Sequence, residues 1–240
     1  MMCRTLIAAH TGCGVHPDNT MASFYEAMAF GAHIAEVDVH AASDGTAILL
    51  HDDSPYLREY SYEQLKEPEM RVLLDPIYAD FELATLEQVL RASDNERLLL
   101  NLDIKSEEAI EPTVKLVHEW QAQSRVFITG HDLLAEHFPY IRVMLNTPTQ
   151  LTEAQSEHYE EFAERVCQQA LQGGYVGLNM HYSTCRQQTV DLAHASGLLV
   201  WVYTVNEQEA MEALIRMDVD AITTRKPERL LNLCKDLLEL

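Results

Sequence analysis

Positive charge is scarce in this sequence. Seventeen Lys and Arg stand against 38 Asp and Glu, a formal net charge of −21. So acidic a surface repels nucleic acid and anionic membranes, and neither is an expected partner. An anionic ligand would have to be met by a metal ion or by a few placed Lys and His. Cysteine is also sparse. Cys3, Cys13, Cys167, Cys185 and Cys234 are scattered, with no C-x-x-C pair, a pattern of free thiols in a reducing compartment. No apolar run approaches the roughly eighteen residues of a transmembrane helix. The opening MMCRTLIAAH is too short in apolar residues for a signal peptide and leads straight into a strand pattern. The expectation is a cytoplasmic protein with no stable membrane association. Internal repeats and low-complexity tracts are absent as well.

What remains is an ordinary globular composition, 47% hydrophobic and 23% charged over 240 residues. That length suits one α/β barrel of about 250 residues and is enough to bury a full core. Nine short apolar runs punctuate the chain, at 5–10, 33–39, 46–51, 97–105, 125–130, 141–146, 175–180, 198–205 and 219–224. Most are nearly continuous in Val, Ile and Leu, as in parallel strands buried on both faces. Longer amphipathic segments alternate with them, at 18–32, 85–93, 106–122, 150–172, 184–196, 206–217 and 227–239. The first closes near Gly31, and the second opens with Thr85 in capping-box style. Repeated β–α units without a linker predict one parallel α/β domain over 1–240. Nine runs are one more than a barrel needs. Residues 46–51 follow an Asp44-Gly45 turn with no helix before them, so they are an extra strand or an extension of the second. Residues 52–84 are charged, rich in Tyr and carry three prolines. They predict an irregular insertion with a short helix near 61–67, leaving directly after His51.

Polar groups gather where the strand-like runs end. His10 closes the first, and His51 and Asp52 close the third. Glu36 and Asp38 lie two apart in the second, as do Asp103 and Lys105 in the fourth, so each pair shares one face of its strand. In a barrel, strand ends converge at the C-terminal face. Three carboxylates inside apolar strands repel one another and resist burial. A divalent, oxygen-loving cation resolves that conflict. Other readings exist for each item alone. A strand carboxylate can pair with a buried Arg or Lys, and a strand-terminal His can merely pack or cap.

The order of these elements resembles the glycerophosphodiester phosphodiesterase family. That family shows His-Arg-Gly, Pro-Glu-Asn-Thr, a Glu-x-Asp-Val strand, an Asp-Gly turn and a His-Asp pair. Here they read His10-Thr11-Gly12, Pro17-Asp18-Asn19-Thr20, Glu36-Val37-Asp38-Val39, Asp44-Gly45 and His51-Asp52. Further on, 84–90, 101–105, 200–206 and 220–230 resemble its later motifs, so the likeness spans residues 6 to 230. The resemblance implies a TIM (β/α)8 barrel with a small insertion after the second strand region, at 52–84. It implies metal-dependent hydrolysis of a glycerophosphodiester to glycerol phosphate and an alcohol. Glu36, Asp38 and Asp103 would hold one Mg²⁺ or Ca²⁺. His10 and His51 would form the acid/base pair, and Thr11, Lys105, His181 and Tyr203 would meet a small-molecule phosphodiester.

Several positions depart from the family pattern. Thr11 replaces an Arg that would grip a phosphate, so a hydroxyl stands where a charged fork is usual. Lys105 or Arg225 could take over that contact. Asp103 stands for Glu, Asp18 for Glu, Tyr203 for Trp and Arg225 for Asp. The departures leave two alternatives open. The substrate could be another phosphodiester, such as a lysophospholipid or a sugar diester, or the chain could be a barrel that binds without catalysis.

Overall fold

The computed structural model describes residues 4–94, 97–130 and 135–236. Eight parallel strands close on themselves: β1 (Leu6–Ala9), β2 (Ile34–Ala41), β4 (Leu99–Ile104), β5 (Val126–Gly130), β6 (Arg142–Asn146), β7 (Gly177–His181), β8 (Leu199–Tyr203) and β9 (Ala221–Thr224). Their order around the barrel is β1-β9-β8-β7-β6-β5-β4-β2, and β2 pairs again with β1 to complete the ring. The ninth run is β3 (Ala47–Leu49). It is a separate strand, antiparallel to the last three residues of β2, which outruns its neighbours to accept it.

The helices lie between strands: α1 (Met21–Ala29), α5 (Leu86–Ala92), α6 (Ile110–Glu119), α7 (Glu153–Glu157), α8 (Tyr159–Gln172), α9 (Gln187–Ala195), α10 (Gln208–Arg216) and α11 (Pro227–Asp236). The last was expected to reach 239; residues 237–240 lie outside those described. Thr20 caps α1 by accepting the Ser23 N–H at 3.1 Å. Thr85 caps α5 in a reciprocal box with Gln88. The 150–172 segment is two helices, divided at His158. Between β5 and β6 the described residues hold only a 3₁₀ turn, Ala135–His137.

Residues 52–84 contain more helix than the one short helix expected near 61–67. They fold as α2 (Tyr56–Glu59), α3 (Tyr62–Leu65), α4 (Pro68–Leu74) and a 3₁₀ turn at Pro76–Ala79. Leu57, Leu65, Tyr78 and Leu83 form a small core of their own against Ala42, Ile48 and Leu50 of the β2–β3 hairpin. No helix among the described residues is long and apolar enough to cross a membrane. Cys13, Cys167 and Cys185 are buried free thiols, as the spacing predicted; Cys3 lies outside the described residues.

The barrel interior has two levels. Ala8, Ile34, Phe127, Met144, Trp201 and Ala221 pack together as an apolar plug. The Phe127 and Trp201 rings stand 4.4 Å apart between centroids. Because alternate residues of a strand share a face, the residues two further on also point inward. These are His10, Glu36, Thr129, Asn146, Tyr203 and Thr223, and every one is polar. On β7 the corresponding pair is Gly177 and Asn179. A Cβ on Gly177 would lie 2.4 Å from the Leu199 carbonyl oxygen and 2.8 Å from Met144 Cε. Backbone cannot give way cheaply, so Gly177→Ala should lower unfolding stability by about 1–3 kcal/mol, measured by urea titration. An unchanged midpoint would show that the plug has slack.

Candidate active site

One cavity of about 200 Å³ opens above the plug. His10, Glu36, Asp38, His51, Asp103 and Lys105 line it together with Asn101, Thr129, Asn146, Asn179, Tyr203, Thr204 and Thr223. Parallel register explains much of the convergence: Asp38 lies beside Asp103, and Glu36 beside Asn101, on the paired strands β2 and β4. Glu36, Asp38 and Asp103 each offer an oxygen within 4.8 Å of the others. With metal–oxygen bonds of about 2.0–2.6 Å, three such oxygens can share one cation.

The structure gives two of these carboxylates a cationic partner, Lys105. Lys105 Nζ lies 2.7 Å from Asp38 Oδ1 and 2.5 Å from Asp103 Oδ2. Burial opposes the lysine's charge, yet Asp103 and Asp38 hold Lys105 above the ordinary lysine range. Glu36 is left with the weaker company. It accepts the Thr11 N–H at 3.0 Å and lies 3.8 Å from His10 Nδ1. Burial, then the charges of Asp38 and Asp103, push its carboxyl well above the usual carboxylate range. A site with three acids and one lysine retains a demand for positive charge, and a divalent cation is compatible with it.

The β1–α1 loop braces this cluster. Asn19 donates from Nδ2 to Asp38 Oδ2 at 2.7 Å and accepts the Asp38 N–H through Oδ1 at 3.0 Å. Its backbone has a φ of +59°, a conformation that Asn tolerates better than most residues. Thr11 is buried, and its hydroxyl accepts the Asn19 N–H at 2.6 Å. Thr11 therefore touches the cluster directly through its N–H on Glu36 and indirectly through its hydroxyl on Asn19, and it does not line the cavity.

The histidines differ in setting. The His10 side chain is 19% exposed and that of His51 is 62% exposed, which places one inside and one at the mouth. His10 Nδ1 meets the Thr11 carbonyl at 2.7 Å. A carbonyl only accepts, so in the neutral ring Nδ1 carries the proton and Nε2 is free to accept one. Burial holds His10 below the ordinary histidine range despite that bond. His51 Nδ1 meets Asp52 Oδ1 at 2.6 Å, which orients its ring. Behind it, the buried His40 contacts the His51 carbonyl at 3.4 Å. His181 lies outside the cavity lining. It pairs with Ser183 at 2.7 Å and meets the Tyr203 ring edge-on, 6.0 Å between centroids. Tyr203 does line the cavity, and burial raises its phenol above the usual range. His33 accepts the Ile7 N–H, and His16 pairs with Glu26, in keeping with packing or surface roles; His131 lies outside the described residues.

Two departures from the expected motifs are partners of each other. Arg225, just after β9, forks onto both carboxylate oxygens of Asp18 and also donates to the Gly12 carbonyl at 3.4 Å. Burial works against Asp18's charge, but Arg225 holds its carboxyl below the usual range. A Cβ on Gly12 would fall 1.7 Å from Asp18 Oδ1, so glycine is required where the pair closes over the loop. Sequence reasoning gave no site role to Asn19, although it lies in a quoted motif, nor to Asn101, Thr129, Asn146, Asn179, Thr204 and Thr223. For several, the available signal was a polar residue two places after an apolar one at a strand's C-terminal end.

With this geometry in hand, comparisons with known proteins are specific. The Glycerophosphoryl diester phosphodiesterase family profile matches residues 10–229. A glycerophosphodiester phosphodiesterase of Caldanaerobacter subterraneus subsp. tengcongensis is 25% identical, over 97% of this chain and 98% of its own. The fold matches a glycerophosphodiester phosphodiesterase of Parabacteroides distasonis with a TM-score of 0.78 at 23% identity, covering 99% of this chain and 100% of that one. It also matches an Oleispira antarctica phosphodiesterase in complex with the product sn-glycerol-3-phosphate, with a TM-score of 0.72 at 20% identity and 96% of each chain covered.

Proposed function

The chain belongs to the glycerophosphoryl diester phosphodiesterase family and is a phosphoric diester hydrolase, and from that premise we propose that it cleaves a glycerophosphodiester to glycerol phosphate and an alcohol with a divalent cation and a histidine pair. The observation that carries this reading is the meeting of His10, His51 and three carboxylates in one small cavity. The Oleispira antarctica relative is in complex with sn-glycerol-3-phosphate as product, the class of product this reading requires.

Glu36, Asp38 and Asp103 would hold Mg²⁺ or Ca²⁺, which would neutralise phosphate charge that otherwise repels a nucleophile. His10 Nε2 takes the proton from the attacking oxygen as the new P–O bond forms. That oxygen belongs to water, or to the neighbouring glycerol hydroxyl, in which case water then opens the resulting cyclic phosphate to glycerol phosphate. His51, oriented by Asp52 at the open mouth, gives a proton to the leaving alkoxide as the old P–O bond breaks. Both roles suit imidazole, which can take up and release a proton at one nitrogen while the other holds its orienting partner. Lys105 keeps Asp38 and Asp103 aligned and offers positive charge at the cavity wall.

A panel of phosphodiesters assayed with and without chelator tests the proposal. Turnover of glycerophosphodiesters that chelator abolishes is the expected result. Turnover confined to lysophospholipids or sugar diesters would transfer the machinery to another substrate, and chelator-resistant turnover would remove the metal. A finer prediction concerns Asn19. Removing a group that orients a metal ligand typically costs 10–100-fold in affinity. Asn19→Ala should therefore weaken divalent-cation binding by about that factor, read by calorimetry; wild-type affinity would show that Asp38 needs no such brace.

A further inference from the structure

The irregular β1–α1 loop carries three contacts on which the site depends. The Thr11 N–H meets Glu36, the Asn19 amide braces Asp38, and the Thr11 carbonyl meets the His10 ring. Between Thr11 and Asn19 the loop is fastened partly to its own helix. Ser23 Oγ accepts the Gly12 N–H at 2.6 Å, and Glu26 accepts the Val15 and His16 N–H groups, both at 3.1 Å. Among the described residues, every hydrogen bond that reaches residues 12–18 from outside residues 10–29 comes from Arg225. Arg225 is itself fixed. It follows β9, which pairs with β1 so that Thr224 lies beside Ala9. Its N–H donates to Asn206 Oδ1 at 2.9 Å, and the Thr224 hydroxyl donates to the same oxygen at 3.3 Å. The bond to Asp18 holds Arg225 above the ordinary arginine range against partial burial, and the charges of Glu36 and Asp38 add to that effect. The sequence left open that Arg225 meets the substrate phosphate. It does not line the cavity, and both its terminal nitrogens are engaged by Asp18.

Resting on the phosphodiesterase reading above, we infer that Asp18 and Arg225 are a positioning pair, whose fork ties the β1–α1 loop to the end of β9 and so holds Asn19 and the Thr11 N–H on the metal-binding carboxylates. Neither side chain lines the cavity, so the pair acts through the loop and not on substrate. Asn19 directly follows Asp18, and its φ of +59° is a conformation that persists only where the surroundings impose it. The Asp38 bonds impose it from one side and the fork on Asp18 from the other. A bidentate guanidinium–carboxylate pair sets angle as well as distance, which is what holding an irregular loop requires. Charge alone would act differently. Arg225 is a cation near the site for a cation, so by Coulomb's law its loss would tighten metal binding, while loss of Asp18 would weaken it. Positioning predicts that both losses weaken it.

The test is calorimetric titration of folded protein with Mg²⁺ and with Ca²⁺, in wild type, Arg225→Met, Asp18→Asn and the double variant. Each single variant should bind the cation about tenfold more weakly, the lower end of what losing an orienting group costs. The double variant should be no worse than either single one, because the same tie is missing in all three. Tighter binding in Arg225→Met, additive losses in the double variant, or wild-type affinity in both single variants overturns the inference. Arg225→Lys, the mildest change, covers variants that fail to fold. It keeps the charge and loses the fork, so it should also bind the cation several-fold more weakly, and wild-type affinity in it overturns the inference. Failure of the underlying reading looks different, since wild type would then bind no divalent cation or turn over no phosphodiester, bis(p-nitrophenyl) phosphate included.

Discussion

Alanine at His10 lowers kcat on a glycerophosphodiester by about 10²–10⁴-fold, and alanine at His51 does the same, the usual scale for losing a positioned acid or base. The two variants should differ in how their pH profiles change. His10 works as a base only when neutral. Burial, opposed by the Thr11 carbonyl bond and reinforced by the Arg225 charge, holds its imidazole below 6.5. The sign follows directly. The acid limb of wild-type kcat/KM, where His10 becomes protonated, should therefore be centred below 6.5. That acid limb should vanish in His10→Ala and persist in His51→Ala. An acid limb centred above 6.5 would assign the base to another group, and near-normal turnover in both single variants would remove the pair from the mechanism.

The strands were legible because parallel barrel strands are buried on both faces and read as unbroken apolar runs. Each of the nine runs falls on a strand, although β2 and β7 continue one or two residues past theirs, and β3 proved to be the extra one. The charged half of the cavity was equally legible. Carboxylates two apart in an apolar run are costly enough to demand a reason, and Glu36, Asp38 and Asp103 converge as that cost suggests. The neutral half was not legible. Asn146 and Asn179 are unremarkable at a strand end, and only the register of β6 against β7 makes them a pair. The Asp18–Arg225 fork joins residues 207 apart in sequence, a distance over which no local pattern operates. Thr11 is similar. Its departure from Arg was visible in sequence, but not that its hydroxyl holds Asn19, which in turn holds Asp38. In the insertion, a high density of charge and Tyr obscured α2 and α4, whose few apolar residues pack on the back of a hairpin that sequence spacing alone does not locate.

Removing divalent metal should lower turnover by about 10³-fold or more, because several kcal/mol of transition-state charge stabilisation leaves with it and each 1.36 kcal/mol is tenfold in rate. The same treatment should change stability, and Glu36 determines how. In the metal-free protein, burial and the neighbouring Asp38 and Asp103 raise its carboxyl well above the ordinary value of 4.5. A raised acid is protonated in the folded state and ionised in the unfolded state over the interval between those two values. Metal-free stability therefore falls as pH rises from about 4.5 toward the raised value. A bound cation requires the carboxylate, so binding expels that proton, and apparent affinity should climb by up to about tenfold per pH unit across the same interval before levelling off. With the cation at about 100 times its dissociation constant, the folded state gains about 2.7 kcal/mol. Thermal unfolding with and without Mg²⁺ or Ca²⁺ at several pH values measures both effects. The gap in Tm should widen with rising pH and then become constant. In Glu36→Gln it should be small and independent of pH. A gap of the same size and pH dependence in that variant would place the cation somewhere other than among Glu36, Asp38 and Asp103.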